Sequence, residues 1–344
     1  MSLLRTLFFL LTLPYVLGVI AFGAVWTLLG ESRWWVALVV NFAPLFILPA
    51  FVLFPLALLI RAKRAALLLL PVLVSGVILF GGYFVPRTTA PAAPAWSLRV
   101  IALNVSDRLQ PIARIEEWLR ANPVDVVVLA EVHRPLRNTI PRMADMYPYS
   151  AGQARTNAVA VLSRYPISAS SGWIEDEFGY RQFPQVTLQV GDQPVTVIAT
   201  SLDSPAGVRG RILLPDMDNR FINGAWDMLW GYSDTSRSAE VAKIVDWVAT
   251  APNPVIVAGD MNLAEQSSDY NHLASVLVDS YRDAATGFGF TFPAWEAFRL
   301  PSGLPPVMRI DYIWHTSDLV TLEARSGDYV GSDHLPVLAT IGGY

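Results

Sequence analysis

The chain has 344 residues, no cysteine, and 25 basic against 29 acidic side chains, a formal net charge of −4. The length allows about two domains, and without cysteine there is neither a disulfide nor a thiolate metal site, so the redox compartment stays undecided. Six of the basic residues but only one acid, Glu31, lie in residues 1–96, which leaves 19 basic and 28 acidic residues, a net −9, for the rest of the chain. That balance disfavours broad nucleic-acid binding, which draws most of its affinity from cationic contacts to phosphates.

Three apolar segments come first, at about 7–29, 34–60 and 65–85. Each meets the requirement of about 20 residues for crossing a bilayer core. Pro14, Pro44, Pro49, Pro55 and Pro71 would damage soluble helices but are tolerated in spans whose neighbours satisfy the freed carbonyls. Trp26, Trp34, Trp35 and Tyr83 fall near the segment ends, where amphipathic rings settle at the headgroup level. A cleaved signal is the alternative for the first segment, but the segment exceeds the usual h-region and no small-residue cleavage site follows it. Arg5 and the loop with Arg61, Lys63 and Arg64 belong in the cytoplasm by the positive-inside rule. The expectation is a multi-pass inner-membrane protein, anchored by residues 1–85, whose remaining chain lies on the non-cytoplasmic face. "VPRTTAPAAPAW" then predicts a stiff linker ending at residue 96.

From residue 97 onward short β-rich runs alternate with helical patterns. "LRVIALNV" reads as a strand, "PIARIEEWLRAN" as an amphipathic helix and "VDVVVLAEV" as a second strand. "NAVAVLSRYPI", "FPQVTLQVG" and "QPVTVIATSL" add strands, "SRSAEVAKIVDWVATA" a helix, and "PNPVIVAGDMN", "RIDYIWH" and "HLPVLATI" the closing strands. One mixed α/β domain over 97–344 follows, within the size that a single core reaches.

Polar residues recur at the strand ends: Asn104, Glu131, Ser201, and Asp260 with Asn262. In open sheets such ends form the crevice where ligands bind. Asp311 lies within a strand instead, and a buried carboxylate needs a partner. His334, one of four histidines, preceded by Asp333 in "GSDHLPV", is the natural one, because an Asp on one imidazole nitrogen orients the other. The set is oxygen-rich with one imidazole and no sulfur, which suits Mg²⁺, with Mn²⁺ as a substitute, better than zinc. Each residue alone has a plain reading as a turn, cap or solvated strand end.

In order, "LNV", "LAEV", "VAVLSRYPI", "VAGDMN", "RIDYIW" and "GSDHLPV" resemble the endonuclease/exonuclease/phosphatase superfamily, over essentially the whole of 97–344. The resemblance implies an α/β (α+β) fold, a DNase I-like four-layer sandwich, here preceded by three transmembrane helices. It implies metal-dependent hydrolysis of phosphoester bonds. By position Glu131 would bind the metal with Asn104 beside it and Asp333 nearby. Asp260 would orient or deprotonate the attacking water, Asn262 would hold the phosphate and Asp260, and His334, backed by Asp311, would contact the phosphoryl oxygen. One departure stands out: Ser201 occupies a position where many relatives carry a His or Tyr donor. A hydroxyl donates a hydrogen bond but is a poor acid at neutral pH, so a metal-bound water or His133 is the alternative proton source.

Between Ser201 and the next helix, residues 205–236 hold Met217, Phe221, Trp226, Met228, Trp230 and Tyr232. Trp226 and Trp230 are candidate substrate contacts for an acyl chain beside a lipid bilayer, against the plainer reading of an added core. Three functions stay open: a phosphodiesterase acting on a phospholipid or its headgroup, a membrane-tethered nuclease, and a catalytically silent binding module.

Overall fold

The computed structural model describes residues 2–85, 93–106, 111–132, 138–152, 158–176, 179–205, 232–301 and 303–344. Most of the linker, His133, Trp226 and Trp230 lie outside the described residues. The chain divides into two compact units: Met1–Val85 with Ala206–Tyr232 and Gln266–Ser268, and Pro86–Pro205 with Ser233–Glu265 and Asp269–Tyr344.

The first unit contains helices α1 (Ser2–Leu29), α2 (Trp34–Asn41), α3 (Ala43–Ile47), α4 (Pro49–Leu59) and α5 (Lys63–Phe80). Leu3–Leu29 and Lys63–Phe84 are each long and apolar enough to cross a membrane. The middle segment differs from the single helix expected over 34–60. Its two parts, Trp34–Asn41 and Ala43–Leu59, meet at 74°. The break falls at Phe42, just before Pro44, while Pro49 opens the next helix. Proline lacks a backbone donor and its ring crowds the carbonyl four residues back, so Pro44 cannot continue the ladder of the preceding helix, and the chain leaves the helical region at Phe42, whose φ is −108° and ψ 15°. Asn41, buried at the break, donates through Nδ2 to the carbonyl of Ala37 at 2.8 Å and to the hydroxyl of Tyr232 at 2.6 Å. At the other end of the helices, Arg5 Nε donates to the carbonyl of Ile60 at 2.9 Å.

The second unit holds two six-stranded sheets. Its strands are β1 (Trp96–Asn104), β2 (Val126–Val132), β3 (Tyr149–Gly152), β4 (Ala158–Ser163), β5 (Ile167–Asp176), β6 (Gly179–Val190), β7 (Gln193–Ser201), β8 (Val255–Asp260), β9 (Val278–Asp279), β10 (Asp311–His315), β11 (Leu319–Ser326) and β12 (Val337–Gly343). One sheet runs β11-β12-β1-β2-β4-β3 and the other β5-β6-β7-β8-β10-β9. Valine, isoleucine and alanine on the facing sides, among them Val100, Ala102, Val126, Val128, Val197, Ala199, Ile256 and Ala258, form one shared core. Helix α6 (Ile112–Ala121) covers the outer face of the first sheet through Ile115 and Leu119. Helices α7 (Thr235–Thr250) and α8 (Ser268–Ala274) cover the second through Val241, Ile244 and Leu273. The short α9 (Ser280–Ala284) follows β9. This is the four-layer α/β sandwich of the DNase I-like fold.

Each sheet carries one parallel pair at its centre, β1 with β2 and β7 with β8. Parallel neighbours require a crossover, supplied by α6 in one sheet and α7 in the other. Asn104, Glu131, Ser201 and Asp260 therefore stand at the carboxyl ends of these four strands. Antiparallel neighbours bring their starts to the same edge: Ala102 of β1 pairs with Val337 of β12, and Asp260 with Asp311 of β10.

Candidate active site

Asn104 is the bridge between the sheets. Its Nδ2 donates to Glu131 Oε1 at 3.0 Å and to Asp260 Oδ2 at 2.9 Å, while its Oδ1 accepts the backbone N–H of Ser106 at 2.9 Å. A carboxamide serves here because it donates and accepts at once. Glu131 reaches the bridge through a bulge. The β2–β4 register shifts between Leu129 and Val132, and Glu131 has φ 58°. Left-handed backbone at a residue bearing a Cβ costs on the order of 1–3 kcal/mol, and a bulge re-aims the side chain that pays it. Glu131 is half-buried, whereas Asn104 and Asp260 are each 1% exposed.

Asp260 accepts the backbone N–H of Asn262 at 2.9 Å on Oδ1, and Asn262 Nδ2 approaches its Oδ2 at 3.3 Å. That Nδ2 also donates to the carbonyl of Leu202 at 2.9 Å, which ties the ends of β7 and β8 together. The strands approach so closely that a Cβ on Gly259 would meet the carbonyl oxygen of Thr200 at 2.0 Å, and its φ of 141° is another reason for glycine. Burial, reinforced by the neighbouring Asp311, pushes the Asp260 carboxyl up to about 7, against the lowering effects of His334 and the bonds from Asn104 and Asn262.

Asp311 is fully buried, and its Oδ2 meets Nδ1 of His334 at 2.9 Å. Its Oδ1 has no hydrogen-bond partner among the described residues. Burial alone would lower the His334 pKa, but the charge and hydrogen bond of Asp311, with Asp260 and Asp333 behind it, raise it to about 10. Asp311 thus favours the protonated form of His334 and engages its Nδ1. Phe292 packs on the ring at a centroid distance of 4.8 Å. Ser332 Oγ donates to the carbonyl of Asn104 at 2.7 Å and accepts the backbone N–H of His334 at 3.2 Å, so it pins the His334 loop to β1. Asp333 is half-buried beside it, its carbonyl accepting from the N–H of Ala294 at 2.7 Å. Ser201 lies opposite Asp260 in the parallel register.

The structure thus gathers Asn104, Glu131, Asp260, Asn262, Asp311 and His334 at one edge, with Ser201 and Asp333 adjoining. Sequence reasoning missed Ser332. Nothing in the spacing of a serine before "DH" distinguishes it from an ordinary turn residue, whereas Phe292 lies in an aromatic stretch, "GFGFTFPAWEAF", that the sequence offers as a wall of the site.

The ligand chemistry fits a hard divalent cation: carboxylates, a carboxamide and one imidazole, with an unsatisfied carboxylate oxygen on Asp311. Asp260, Asp311 and His334 offer ligand atoms within 4.8 Å of one another. That trio is the tighter group, and within it His334 Nδ1 already engages Asp311. Half-buried Glu131, joined to Asp260 through Asn104, is a further carboxylate that could hold the ion.

A profile of the Endonuclease/Exonuclease/phosphatase family matches residues 95–334. The chain belongs to this family. Its members are metal-dependent phosphoesterase and nuclease-type hydrolases, and so is this chain. A truncated Caenorhabditis elegans TDP2 superposes with a TM-score of 0.54 at 15% identity, covering 73% of this chain and 100% of that one. An endonuclease/exonuclease/phosphatase from Bacteroides vulgatus gives a TM-score of 0.53 at 17% identity, covering 72% of this chain and 100% of its own. D. rerio TDP2 complexed with a single-strand DNA product gives 0.54 at 17% identity, with 72% and 99% covered. At these identities the likeness is one of fold. A search of curated proteins gives no match.

Proposed function

We propose that the chain is a membrane-anchored, Mg²⁺-dependent phosphodiesterase that cleaves a phospholipid or its headgroup by in-line attack of water. The observation that carries the reading is the Asn104 bridge from Glu131 to Asp260, with the Asp311–His334 pair alongside. Glu131, flanked by Asn104 and Asp333, would hold the ion, whose charge offsets the negative charge that gathers on phosphoryl oxygens during attack. Asp260 takes the proton of the attacking water, a task matched to a carboxyl pushed up to about 7. Asn262 keeps Asp260 aimed. The cationic His334 donates from Nε2 to a phosphoryl oxygen, with Asp311 fixing the ring, so that a preorganised charge meets the developing one. Ser201 contributes a hydrogen bond.

Membrane placement rests on hydropathy and on the basic residues. The Arg5 to Ile60 hydrogen bond supports a common side for Arg5 and the Arg61, Lys63 and Arg64 loop, with the bent middle segment crossing as one span. Three crossings then put the C-terminus on the non-cytoplasmic face. A C-terminal alkaline phosphatase fusion is expected to be active; an inactive one, with a fluorescent cytoplasmic green fluorescent protein fusion, inverts the topology.

The full-length protein in detergent is expected to hydrolyse bis(4-nitrophenyl) phosphate with Mg²⁺ or Mn²⁺ and to stop with chelator. Equal rates in EDTA and metal would overturn the mechanism. Nuclease action is the second reading, favoured by the fold shared with the D. rerio TDP2 that holds a single-strand DNA product. The net −9 of residues 97–344 opposes it. Phospholipid vesicles against single-stranded DNA, at matched phosphodiester concentration, separate the two.

A further inference from the structure

Helix α7 buries an Arg and a Glu on the stripe that should be wholly apolar. Arg237 and Glu240 are 1% and 3% exposed and share their face with Val241, Ile244 and Val248. Desolvating either charge is expensive unless it is paired and hydrogen-bonded, so their partners show what the expense secures. Glu240 Oε2 accepts the backbone N–H of Asp203 at 2.7 Å, in the loop after β7. Arg237 Nη1 donates to the carbonyl of Asn262 at 2.6 Å, in the loop after β8. Behind it, Arg237 Nε is held by Asp269 Oδ2 at 2.9 Å, and Asp234 lies 3.8 Å from Nη2. One helix face therefore grips both loops that carry the active-site edge of the second sheet.

Asn262 is the residue where such a grip matters. Its φ is 48°, a left-handed conformation that an Asn tolerates but that persists only when its surroundings impose it. Its N–H and Nδ2 both point at Asp260, and Nδ2 also reaches the carbonyl of Leu202. The guanidinium holds the carbonyl on the other side of the same residue. A planar fork with separate donors serves Asp269 and Asn262 together, which a lysine ammonium at that depth does not reproduce.

We infer that Arg237 is a positioning residue for the hydrolytic reaction, acting through the Asn262 carbonyl to hold the Asn262 side chain and amide on Asp260. The inference rests on the role proposed above for Asp260 and Asn262. Arg237 itself does not touch the reacting atoms.

The test uses full-length protein in detergent, Mn²⁺ and bis(4-nitrophenyl) phosphate, with hydrogen–deuterium exchange of the peptide spanning Asp260 to Leu263 as the second readout. Arg237→Lys is expected to lower kcat by about tenfold to a hundredfold, the scale for groups that orient a site from behind, with KM changed less than about twofold. Exchange in 260–263 should quicken while that of β12 stays as in wild type. Unchanged kcat overturns the inference, and so does a lower kcat with unaltered exchange at 260–263, because the effect would then not pass through Asn262. Uniformly faster exchange marks a general folding role and also overturns it. Should the lysine variant fail to fold, Asp269→Asn, which keeps the shape and one acceptor, is read in the same two ways, with a loss of about threefold in kcat expected for a weakened support. A wild-type protein that hydrolyses nothing with metal would sink the proposed function, whereas the exchange readout would still report whether Arg237 holds the loop.

Discussion

Of the buried charge clusters among the described residues of the second unit, two are built on opposite terms. In one, Arg282 and Arg309 face Glu265 and Asp279. Arg309 bonds to Asp279 and lies 3.1 Å from Glu265, Arg282 Nη2 donates to Glu265 at 2.8 Å, and Tyr270 adds its hydroxyl to Asp279 at 2.8 Å. Arg282 also holds the carbonyls of Gly287 and Phe288. Two cations meet two carboxylates. Burial works against ionising Asp279, but Arg309 and the hydrogen bonds override it and hold its pKa below the usual carboxylate range. In the other, Asp260 and Asp311 share the single cation His334, and Asp260 is pushed up to about 7. The balanced cluster ties loop to strand and serves the fold. The unbalanced one stores an electrostatic conflict that a cation and a phosphate relieve, which is why strongly shifted carboxyls point to chemistry.

Arg309→Met should show the largest effect. It leaves Glu265 and Asp279 buried short of a cation, and denaturant unfolding of the full chain is expected to lose about 3–5 kcal/mol of stability, with the rate per folded molecule nearly unchanged. A loss below about 1 kcal/mol would put the pair among ordinary surface contacts. Asp260→Asn and His334→Ala should do the reverse. Each is expected to lower kcat by at least about a hundredfold, near 2.7 kcal/mol of transition-state stabilisation, while the melting temperature moves little. Near-normal turnover in either variant would remove that residue from the mechanism.

Acid separates the clusters next. A carboxyl whose folded pKa lies below its unfolded value of 3.8 contributes stability that is present above that pH and is lost as pH falls through the folded pKa. The stability gap between wild type and Asp279→Asn is therefore expected to be constant from neutral pH down to the unfolded value and to close below it. A gap already closed near pH 6, measured by denaturant unfolding, would show that Asp279 is not held low. The smallest effect belongs to Ser201→Ala, about 1 kcal/mol or several-fold in rate for one lost hydrogen bond. A loss near 3 kcal/mol on bis(4-nitrophenyl) phosphate would make the hydroxyl a main phosphate donor.

Much of this molecule is written locally. A run of about 20 apolar residues, a valine-rich strand ending in a polar residue, and a helix with its stripe at 115 and 119 each depend on neighbours a few positions away. For that reason the apolar N-terminal helices, the alternation of strands and helices, and the candidates Asn104, Glu131, Asp260, Asn262, Asp311 and His334 were legible in order along the chain. What brings them together was not. Asn104 meets Asp260 across 156 positions and Asp311 meets His334 across 23, pairings set by two parallel crossovers and the packing of one sheet on the other. The bulge that turns Glu131 inward depends on the register of β2 against β4. The 74° bend at Phe42 depends on whether neighbouring helices repair the ladder that Pro44 and Pro49 interrupt. Arg237 and Glu240 broke an apolar helical stripe in plain view of the sequence, a signal that a charge is buried, but only the fold disclosed which loops they grip. Hydropathy and propensity act over a few residues, whereas the balance of buried charge is a property of space, and the tertiary structure alone decided it.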